Sequence, residues 1–200
     1  SLEIKPYQIQ NNFKEIKVFG FGSDGMVSAS KNLLKVLGEN EKTFVQGYFE
    51  YDSKKSGGVT ISHLRISNEE INAPYLLTSP DFVVISKDVY LSKYNCLLGI
   101  RQNGKLLIST SLNNEELNNL ISNENKKEIK EKNIKVYTCN LEEINQKYSL
   151  QGKLNNIICS YMIKLLGGSS KEIESFKEMI KKTYQNKGEI IVDRNLKAIE

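Results

Sequence analysis

The fold is decided by the stretch from Glu15 to Gly38, which reads EIKVFGFGSDGMVSASKNLLKVLG. Its first seven residues are rich in β-formers, and the four turn formers at 22–25 then interrupt the pattern. From Met26 onward apolar residues recur near helical spacing, and Gly38 fits the end of a helix. The stretch therefore predicts a strand, a glycine turn and a helix, which is the unit that α/β domains repeat.

Outward from this unit, strand-like and helix-like segments alternate along the chain. Runs rich in β-formers predict further strands at 43–51, 59–66, 82–85, 106–108 and 134–138. Helical patterns follow at 111–132, 141–148, 155–166, behind the capping box formed by Ser169 and Glu172, and at 190–199, where an arm is the alternative. We expect an α/β fold: a layered domain with a mostly parallel sheet flanked by helices and a helical C-terminal third.

Composition and charge exclude several classes of protein. The 200 residues are 39% hydrophobic and 26% charged, which is ordinary globular usage and not that of a disordered, coiled-coil or collagen-like chain. The formal net charge of +4 comes without a basic patch interleaved with aromatic residues, so we expect no nucleic-acid partner. Because there is no apolar run of about 20 residues and no leader-like start, we also expect a cytoplasmic protein without a membrane partner.

Thiol and imidazole chemistry rests on very few residues. Cys96, Cys139 and Cys159 lie far apart with no C-x-x-C spacing, which predicts free thiols in a reducing compartment. The single histidine, His63, excludes a multi-histidine metal centre. His63 shares a strand face with Arg65, but the sequence shows no nucleophile or acid beside it, so we interpret it as structural. We therefore predict no catalytic residue and no metal ligand in this chain.

The glycine turn is the first candidate binding site. Backbone N–H groups at a helix N-terminus attract anions, and glycines let a phosphate approach the backbone. The spacing matches neither the dinucleotide fingerprint nor a P-loop, and a tight turn without a ligand, with Asp24 as a helix cap, is the alternative. The candidate residues are Gly22, Ser23, Asp24, Gly25, Met26 and Val27.

Two further segments carry candidate ligand groups. The loop 52–58 contains Ser53, Lys54, Lys55 and Ser56, which can supply charge and hydrogen bonds to a phosphate, although an exposed hairpin loop is the alternative. Asn155 stands at the head of an apolar helix, where it either caps the helix or presents its amide to a ligand.

Two long motifs point to a known family. Residues 19–31 read FGFGSDGMVSASK and residues 46–65 read QGYFEYDSKKSGGVTISHLR, with shorter matches at 74–77, 81–84 and 152–155. Together they resemble the gamma domain of pyruvate:ferredoxin (flavodoxin) oxidoreductases, from about Ile16 to the C-terminus. Paired lysines such as Lys54 and Lys55 favour the pyruvate type, and Met26 departs from the threonine usual at its position.

The resemblance implies a function that the isolated segments do not define. It implies an oxidoreductase that converts pyruvate to acetyl-CoA and passes electrons to ferredoxin or flavodoxin, with thiamine diphosphate, Mg and iron–sulfur clusters held in other domains. Residues 1–200 would be a single gamma domain, inactive alone, that helps to bind coenzyme A, a substrate with two separate phosphate groups. Because the chain starts with Ser1 rather than methionine, we expect it to be excised from a larger chain. The resemblance implies that the full enzyme is a homo-oligomer. The alternatives are a gamma subunit for another 2-oxoacid and a scaffold domain that binds no ligand.

Overall fold

The computed structural model describes residues 13–51 and 58–200, which build one sheet with helices on both faces. The strands are β1 (Lys14–Phe21), β2 (Phe44–Tyr51), β3 (Val59–Ser67), β4 (Phe82–Ile85), β5 (Lys105–Ser109) and β6 (Lys135–Cys139). The helices are α1 (Met26–Gly38), α2 (Tyr90–Lys93), α3 (Asn114–Leu120), α4 (Asn123–Glu131), α5 (Leu141–Tyr148), α6 (Asn155–Leu165), α7 (Ser170–Tyr184) and α8 (Glu189–Ile199). A 3₁₀ turn, Gln185–Lys187, joins α7 to α8.

The sheet is mixed but mostly parallel. Its strand order is β2-β3-β1-β4-β5-β6, in which β1, β4, β5 and β6 pair in parallel. Only β3 runs against the other described strands, because it pairs antiparallel with both β1 and β2. The short connection from β2 to β3 leaves no room for a crossover, so these strands form a hairpin. The predicted fold class, an α/β domain with a mostly parallel sheet and a helical last third, is confirmed.

Each face of the sheet has its own core. Phe82 and Val84 of β4 face the core shared with α1, α6 and α7, whereas Val83 and Ile85 face the core beside α2, α3 and α4. All four side chains are buried, as expected of a continuous apolar run in a strand covered on both faces. The helical last third therefore packs on one face of the sheet.

The structure differs from the sequence expectations in two details. The sequence did not predict the helix α2, because a helix of only four residues has no clear periodic pattern. Gly38 does not end α1 in a left-handed conformation; it is the last helical residue, and a Cβ there would lie 3.1 Å from Cγ2 of Val45. A glycine at this position lets α1 approach β2 closely. Among the described residues, no helix is both long and apolar enough to cross a bilayer.

A second close approach places the start of α1 directly on β1. A Cβ on Gly20 would lie 2.6 Å from Cβ of Met26 and 2.8 Å from Oγ1 of Thr60. Real Cβ atoms do not come so near, so only glycine lets the first turn of the helix settle there. The N-terminus of α1 is therefore held at the carboxyl end of β1, next to β3.

Candidate anion-binding site

The turn between β1 and α1 is tight and partly exposed. Ser23 and Gly25 adopt left-handed conformations, with φ of 74° and 85°. The N–H of Asp24 donates to the carbonyl of Phe21 at 3.0 Å, which closes the turn. Gly25 is the N-cap residue of α1 and has no side chain with which to cap the helix. The cap must therefore come from a neighbouring residue.

Asp24 supplies that cap. Its Oδ1 accepts the N–H of Met26 at 3.0 Å, and its Oδ2 accepts the N–H of Phe21 and the hydroxyl of Ser86, each at 2.6 Å. A carboxylate that accepts three hydrogen bonds stabilises the conformation of this turn strongly. The alternative interpretation of Asp24 as a helix cap thus agrees with the structure, one residue before the formal N-cap.

The hydrogen-bond donors that remain unpaired at the start of α1 are backbone N–H groups of its first turn. Met26 gives its N–H to Asp24 and its side chain is 1% exposed, so it presents neither group outward. Within residues 13–51 and 58–200, the N–H groups of Val27 and Ser28 have no acceptor. Val27 is half-buried and Ser28 exposed, so these two donors, at the positive end of the helix dipole, are what α1 offers to an anion.

Asn155 lies against this turn. A Cβ built on Gly25 would stand 3.2 Å from Cβ of Asn155 and 3.6 Å from its backbone nitrogen. Asn155 does not cap α6, because the N-cap residue is Leu154 and no side chain caps that end. Its amide instead donates to Oδ1 of Asn156 at 3.3 Å. The structure thus brings together two segments that the sequence separates widely, the glycine turn and the start of α6.

The start of α6 adds its own unpaired donors. No acceptor among the described residues meets the N–H groups of Asn155, Asn156 or Ile157. Asn156 and Ile157 are buried, so the N–H of the half-buried Asn155 is the donor that α6 offers to an anion. Two helix N-termini that meet side by side reinforce each other's attraction for negative charge. This arrangement is the main electrostatic feature of the candidate site.

The lysine loop is attached beside the same turn. Residues 52–57, with Ser53, Lys54, Lys55 and Ser56, lie outside the described residues. Their flanks are well placed, however, because Tyr51 and Gly20 both pair with Thr60, and the N–H of Gly22 donates to the carbonyl of Gly58 at 3.4 Å. The Gly58 flank therefore contacts the candidate site, and the Tyr51 flank lies two strands away at the same end of the sheet.

His63 has partners that the sequence did not reveal. Its Nε2 lies 2.6 Å from Oε2 of Glu50, and its Nδ1 accepts the N–H of Leu77 at 3.3 Å. These partners fix the tautomer, since Nδ1 accepts and Nε2 must then donate. Burial lowers the pKa of His63, although the Glu50 carboxylate opposes that shift. The imidazole holds the segment after β3 onto the sheet, which is a structural role.

A buried ionic cluster lies at the opposite end of β1. Arg65, 2% exposed, donates to Oε1 of Glu15 at 3.1 Å, to Oε1 of Gln46 at 2.8 Å and to the carbonyl of Tyr75 at 2.7 Å. Arg101 donates to the other oxygen of Glu15 at 3.3 Å. Glu15 begins the strand whose end carries the glycine turn, so this cluster stabilises the sheet away from the candidate site.

The three thiols are buried separately. Burial raises the pKa of Cys96 and of Cys139 to about 12 each, and it raises the pKa of Cys159 as well. Thiols in such surroundings are poor nucleophiles and poor metal ligands. In the part of the chain that the structure describes, no group of three or more His, Cys, Asp or Glu residues could hold a metal ion. The described residues therefore do not fit an iron–sulfur cluster.

The fold and the candidate site define a class: an α/β domain that presents paired helix N-termini at the carboxyl end of its first strand. The family model described as pyruvate ferredoxin/flavodoxin oxidoreductase matches residues 15–200, and the chain belongs to that family. The resemblance found in the motifs is thereby confirmed.

Named relatives agree with this assignment. The chain is 39% identical over 186 residues to a pyruvate-flavodoxin oxidoreductase of Enterobacter agglomerans, covering 92% of this chain and 16% of the relative. It is 36% identical over 205 residues to the pyruvate:ferredoxin oxidoreductase of Moorella thermoacetica, covering 100% of this chain and 17% of the relative. The chain therefore spans about a sixth of the length of these relatives.

Solved structures share the fold. A pyruvate oxidoreductase subunit from Thermotoga maritima, named PORC, superposes with a TM-score of 0.75 at 22% identity, covering 95% of this chain and 94% of that one. A 2-oxoglutarate:ferredoxin oxidoreductase from Magnetococcus marinus, solved with 2-oxoglutarate, coenzyme A and succinyl-CoA bound, gives 0.70 at 14% identity, covering 95% of this chain and 30% of that one.

Proposed function

We propose that this chain is the gamma domain of a pyruvate:ferredoxin or pyruvate:flavodoxin oxidoreductase and that it helps to bind coenzyme A. The observation that carries the proposal is the meeting of the α1 and α6 N-termini at Gly25 and Asn155, beside the flanks of the lysine loop. Unpaired N–H groups suit the phosphates of coenzyme A, and we propose that Lys54 and Lys55, which lie outside the described residues, supply charge to the same ligand.

The described residues lack groups for redox chemistry, which bears on the steps that this domain could carry out in the whole enzyme. They hold no metal-ligand cluster and no reactive thiol, so we assign this domain no redox step. In the whole enzyme, thiamine diphosphate, Mg and iron–sulfur clusters of other domains would supply decarboxylation and electron transfer to ferredoxin or flavodoxin. This chain would hold the phosphates and so direct the thiol of coenzyme A toward the reaction centre.

Two other candidates remain within the same family. A gamma subunit for a different 2-oxoacid would use the same anion site, and the fold does not separate the two, because a pyruvate and a 2-oxoglutarate oxidoreductase both share it. A scaffold domain would only pack against other domains and bind no ligand. The neighbouring coding sequence distinguishes a domain of a fused enzyme from a separate subunit. Thiamine-binding and cluster-binding segments in the same reading frame would establish the multidomain enzyme, whereas a separate short gene would favour the subunit.

The test is Lys54→Ala and Lys55→Ala in the enzyme that contains this chain. A charge-assisted contact to phosphate contributes roughly 1.5–3 kcal/mol, so losing one raises the KM for coenzyme A on the order of tenfold or more. We expect pyruvate decarboxylation and the first electron transfer to stay near normal while acetyl transfer weakens. Lys127→Ala, on the exposed surface of α4, is the matched control. Equal loss in both half-reactions, or in neither, would favour the scaffold.

A further inference from the structure

A pair of lysines near the candidate site has no carboxylate partner in the part of the chain that the structure describes. Lys153 precedes α6, and Lys187 ends the 3₁₀ turn between α7 and α8. Both ammonium groups lie over the ring of Tyr184, with Nζ at 5.8 Å and 5.4 Å from its centroid. The two chain segments are distant in sequence, so the tertiary fold itself brings the two charges together.

The lysines repel each other in the free protein. The Lys187 ammonium lowers the pKa of Lys153, which is the direction that a like charge nearby imposes. Across residues 13–51 and 58–200, no carboxylate comes within 4 Å of either ammonium group. Other lysines of the helical third, such as Lys181 and Lys197, do have carboxylate partners.

The ring beneath the lysines is a fixed platform. Tyr184 is 4% exposed, and its hydroxyl accepts from Nδ2 of Asn156 at 3.3 Å. Asn156 also donates to Oδ1 of Asn195 at 3.0 Å, and Asn195 donates to the carbonyl of Ile191 at 2.9 Å. Buried, hydrogen-bonded polar groups of this kind hold a ring in one orientation. The cation–π contacts then place both ammonium groups over a rigid surface.

This platform adjoins the site already described. Asn156 is the second residue of α6 and follows Asn155, which lies against Gly25. Lys153 is two positions before Asn155 in the sequence, so their Cα atoms are at most about 7 Å apart. Lys153 also lines a small groove together with Arg194 of α8, which adds a third cation. A phosphate bound at the α1 and α6 N-termini would therefore have a second cationic position close by.

We propose that Lys153 and Lys187, set over Tyr184, form a second phosphate-binding subsite for the same coenzyme A molecule. The inference rests on the proposed function and extends it to two lysines that the sequence analysis did not single out as candidate ligands. Coenzyme A carries a diphosphate and a separate 3′-phosphate, and one dianionic phosphate between two ammonium groups would remove their repulsion. The helix N-termini and the lysine loop would hold the other phosphate group.

Amine acetylation of the unmodified protein, followed by mass spectrometry, tests the contact. We expect coenzyme A to slow the acetylation of Lys153 and Lys187 severalfold and pantetheine, which has no phosphate, to leave it unchanged. Lys127 and Lys171, both exposed, are the controls and should react at constant rates. Equal protection by pantetheine would overturn the subsite, as would protection by neither coenzyme A nor inorganic pyrophosphate.

The same experiment with inorganic pyrophosphate distinguishes a failure of the subsite proposal from a failure of the proposed coenzyme A binding. Protection by pyrophosphate without protection by coenzyme A would keep the anion subsite and overturn coenzyme A binding. Protection of the first turn of α1 by coenzyme A, seen as slowed amide exchange at Val27 and Ser28 without protection of either lysine, would keep the function and overturn the subsite.

Variants identify the phosphate. Lys153→Gln and Lys187→Gln should each raise the Kd of coenzyme A about tenfold, with Lys171→Gln as the matched control. If the variants leave the Kd of 3′-dephospho-coenzyme A unchanged, the subsite holds the 3′-phosphate. If they raise that Kd as much as they raise the Kd of coenzyme A, the subsite holds the diphosphate. A Kd for coenzyme A that neither variant changes would contradict the proposal.

Discussion

Gly25 and Asn155 lie against each other, although more than a hundred residues separate them in the sequence. A Cβ on Gly25 would stand 3.2 Å from the Cβ of Asn155, and the φ of +85° at Gly25 is one that other residues rarely adopt. The contact joins the N-terminus of α1 to that of α6, so within the described part of the chain the unpaired N–H groups of Val27 and Ser28 lie near the unpaired N–H of Asn155.

Replacing Gly25 tests this contact. Gly25→Ala must accept a left-handed conformation, which costs about 1–2 kcal/mol, and must also push Asn155 away. Gly167→Ala is the matched control, since Gly167 has a similar φ of +79° but open space around it. Chemical denaturation should show a larger loss of unfolding free energy for Gly25→Ala than for Gly167→Ala. Equal losses would mean that the approach of Asn155 does not constrain the turn.

Much of the fold follows from local patterns. The strand–turn–helix unit at 15–38 and the helix Leu141–Tyr148 are visible in the sequence because their periodicity and turn residues agree. The capping box of Ser169 and Glu172 is also local, and the structure contains both of its hydrogen bonds. Local signals of this kind depend on residues only a few positions apart.

The partners of the site residues could not be found that way. Ser86 donates to Asp24 across 62 positions, and Glu50 meets His63 only through the pairing of β2 with β3. The register of the hairpin, and not any spacing in one segment, places Glu50 on the same face as His63. The position of Asn155 at the head of a helix made it a candidate, but the sequence did not show its place beside Gly25.

The stability of the protein should depend on pH through His63. Burial lowers the pKa of this imidazole below its usual value near 6.5, so the unfolded chain takes up a proton more readily than the folded one. The unfolding free energy should therefore fall as the pH drops below about 6.5 and continue to fall until the folded pKa is reached. The unfolding free energy of His63→Gln should fall less steeply over this window, as measured by denaturation curves between pH 5 and 7.5.

Several charged groups face His63, and the comparison must account for them. Lys17 pairs with His63 across the strands and Arg65 lies on the same strand face, so both disfavour a charged imidazole, whereas Glu50 favours it. Identical slopes in wild type and His63→Gln would show that another group sets the pH dependence. Glu50→Gln, which keeps a hydrogen-bond acceptor but removes the charge, should steepen the fall.

The thiols give a test of the redox assignment. Cys96, Cys139 and Cys159 are buried with raised pKa values, so a thiol reagent at neutral pH should react slowly with the native protein. After denaturation without a reductant, all three should titrate as free thiols. Fast reaction of one cysteine in the native state would indicate an exposed, activated thiol and contradict the assignment of no redox role to this domain.

The central claim is that the α1 and α6 N-termini bind an anionic group of coenzyme A. Ser28 is the third residue of α1, is exposed, and has an N–H group without an acceptor among the described residues. A glutamate at this position places a carboxylate at the positive end of the helix, which stabilises a helix by about 0.3–1 kcal/mol. The same carboxylate would compete with a phosphate for the free donors of the turn.

The most direct measurement is the Kd of coenzyme A for Ser28→Glu, with Ser28→Gln as the uncharged control and thermal unfolding recorded for both. The account predicts that Ser28→Glu is at least as stable as wild type yet binds coenzyme A about tenfold more weakly, while Ser28→Gln binds within about twofold of wild type. Because stability and affinity move in opposite directions, a folding defect cannot produce this result. A Kd for coenzyme A unchanged in Ser28→Glu would contradict the account and place the phosphates elsewhere.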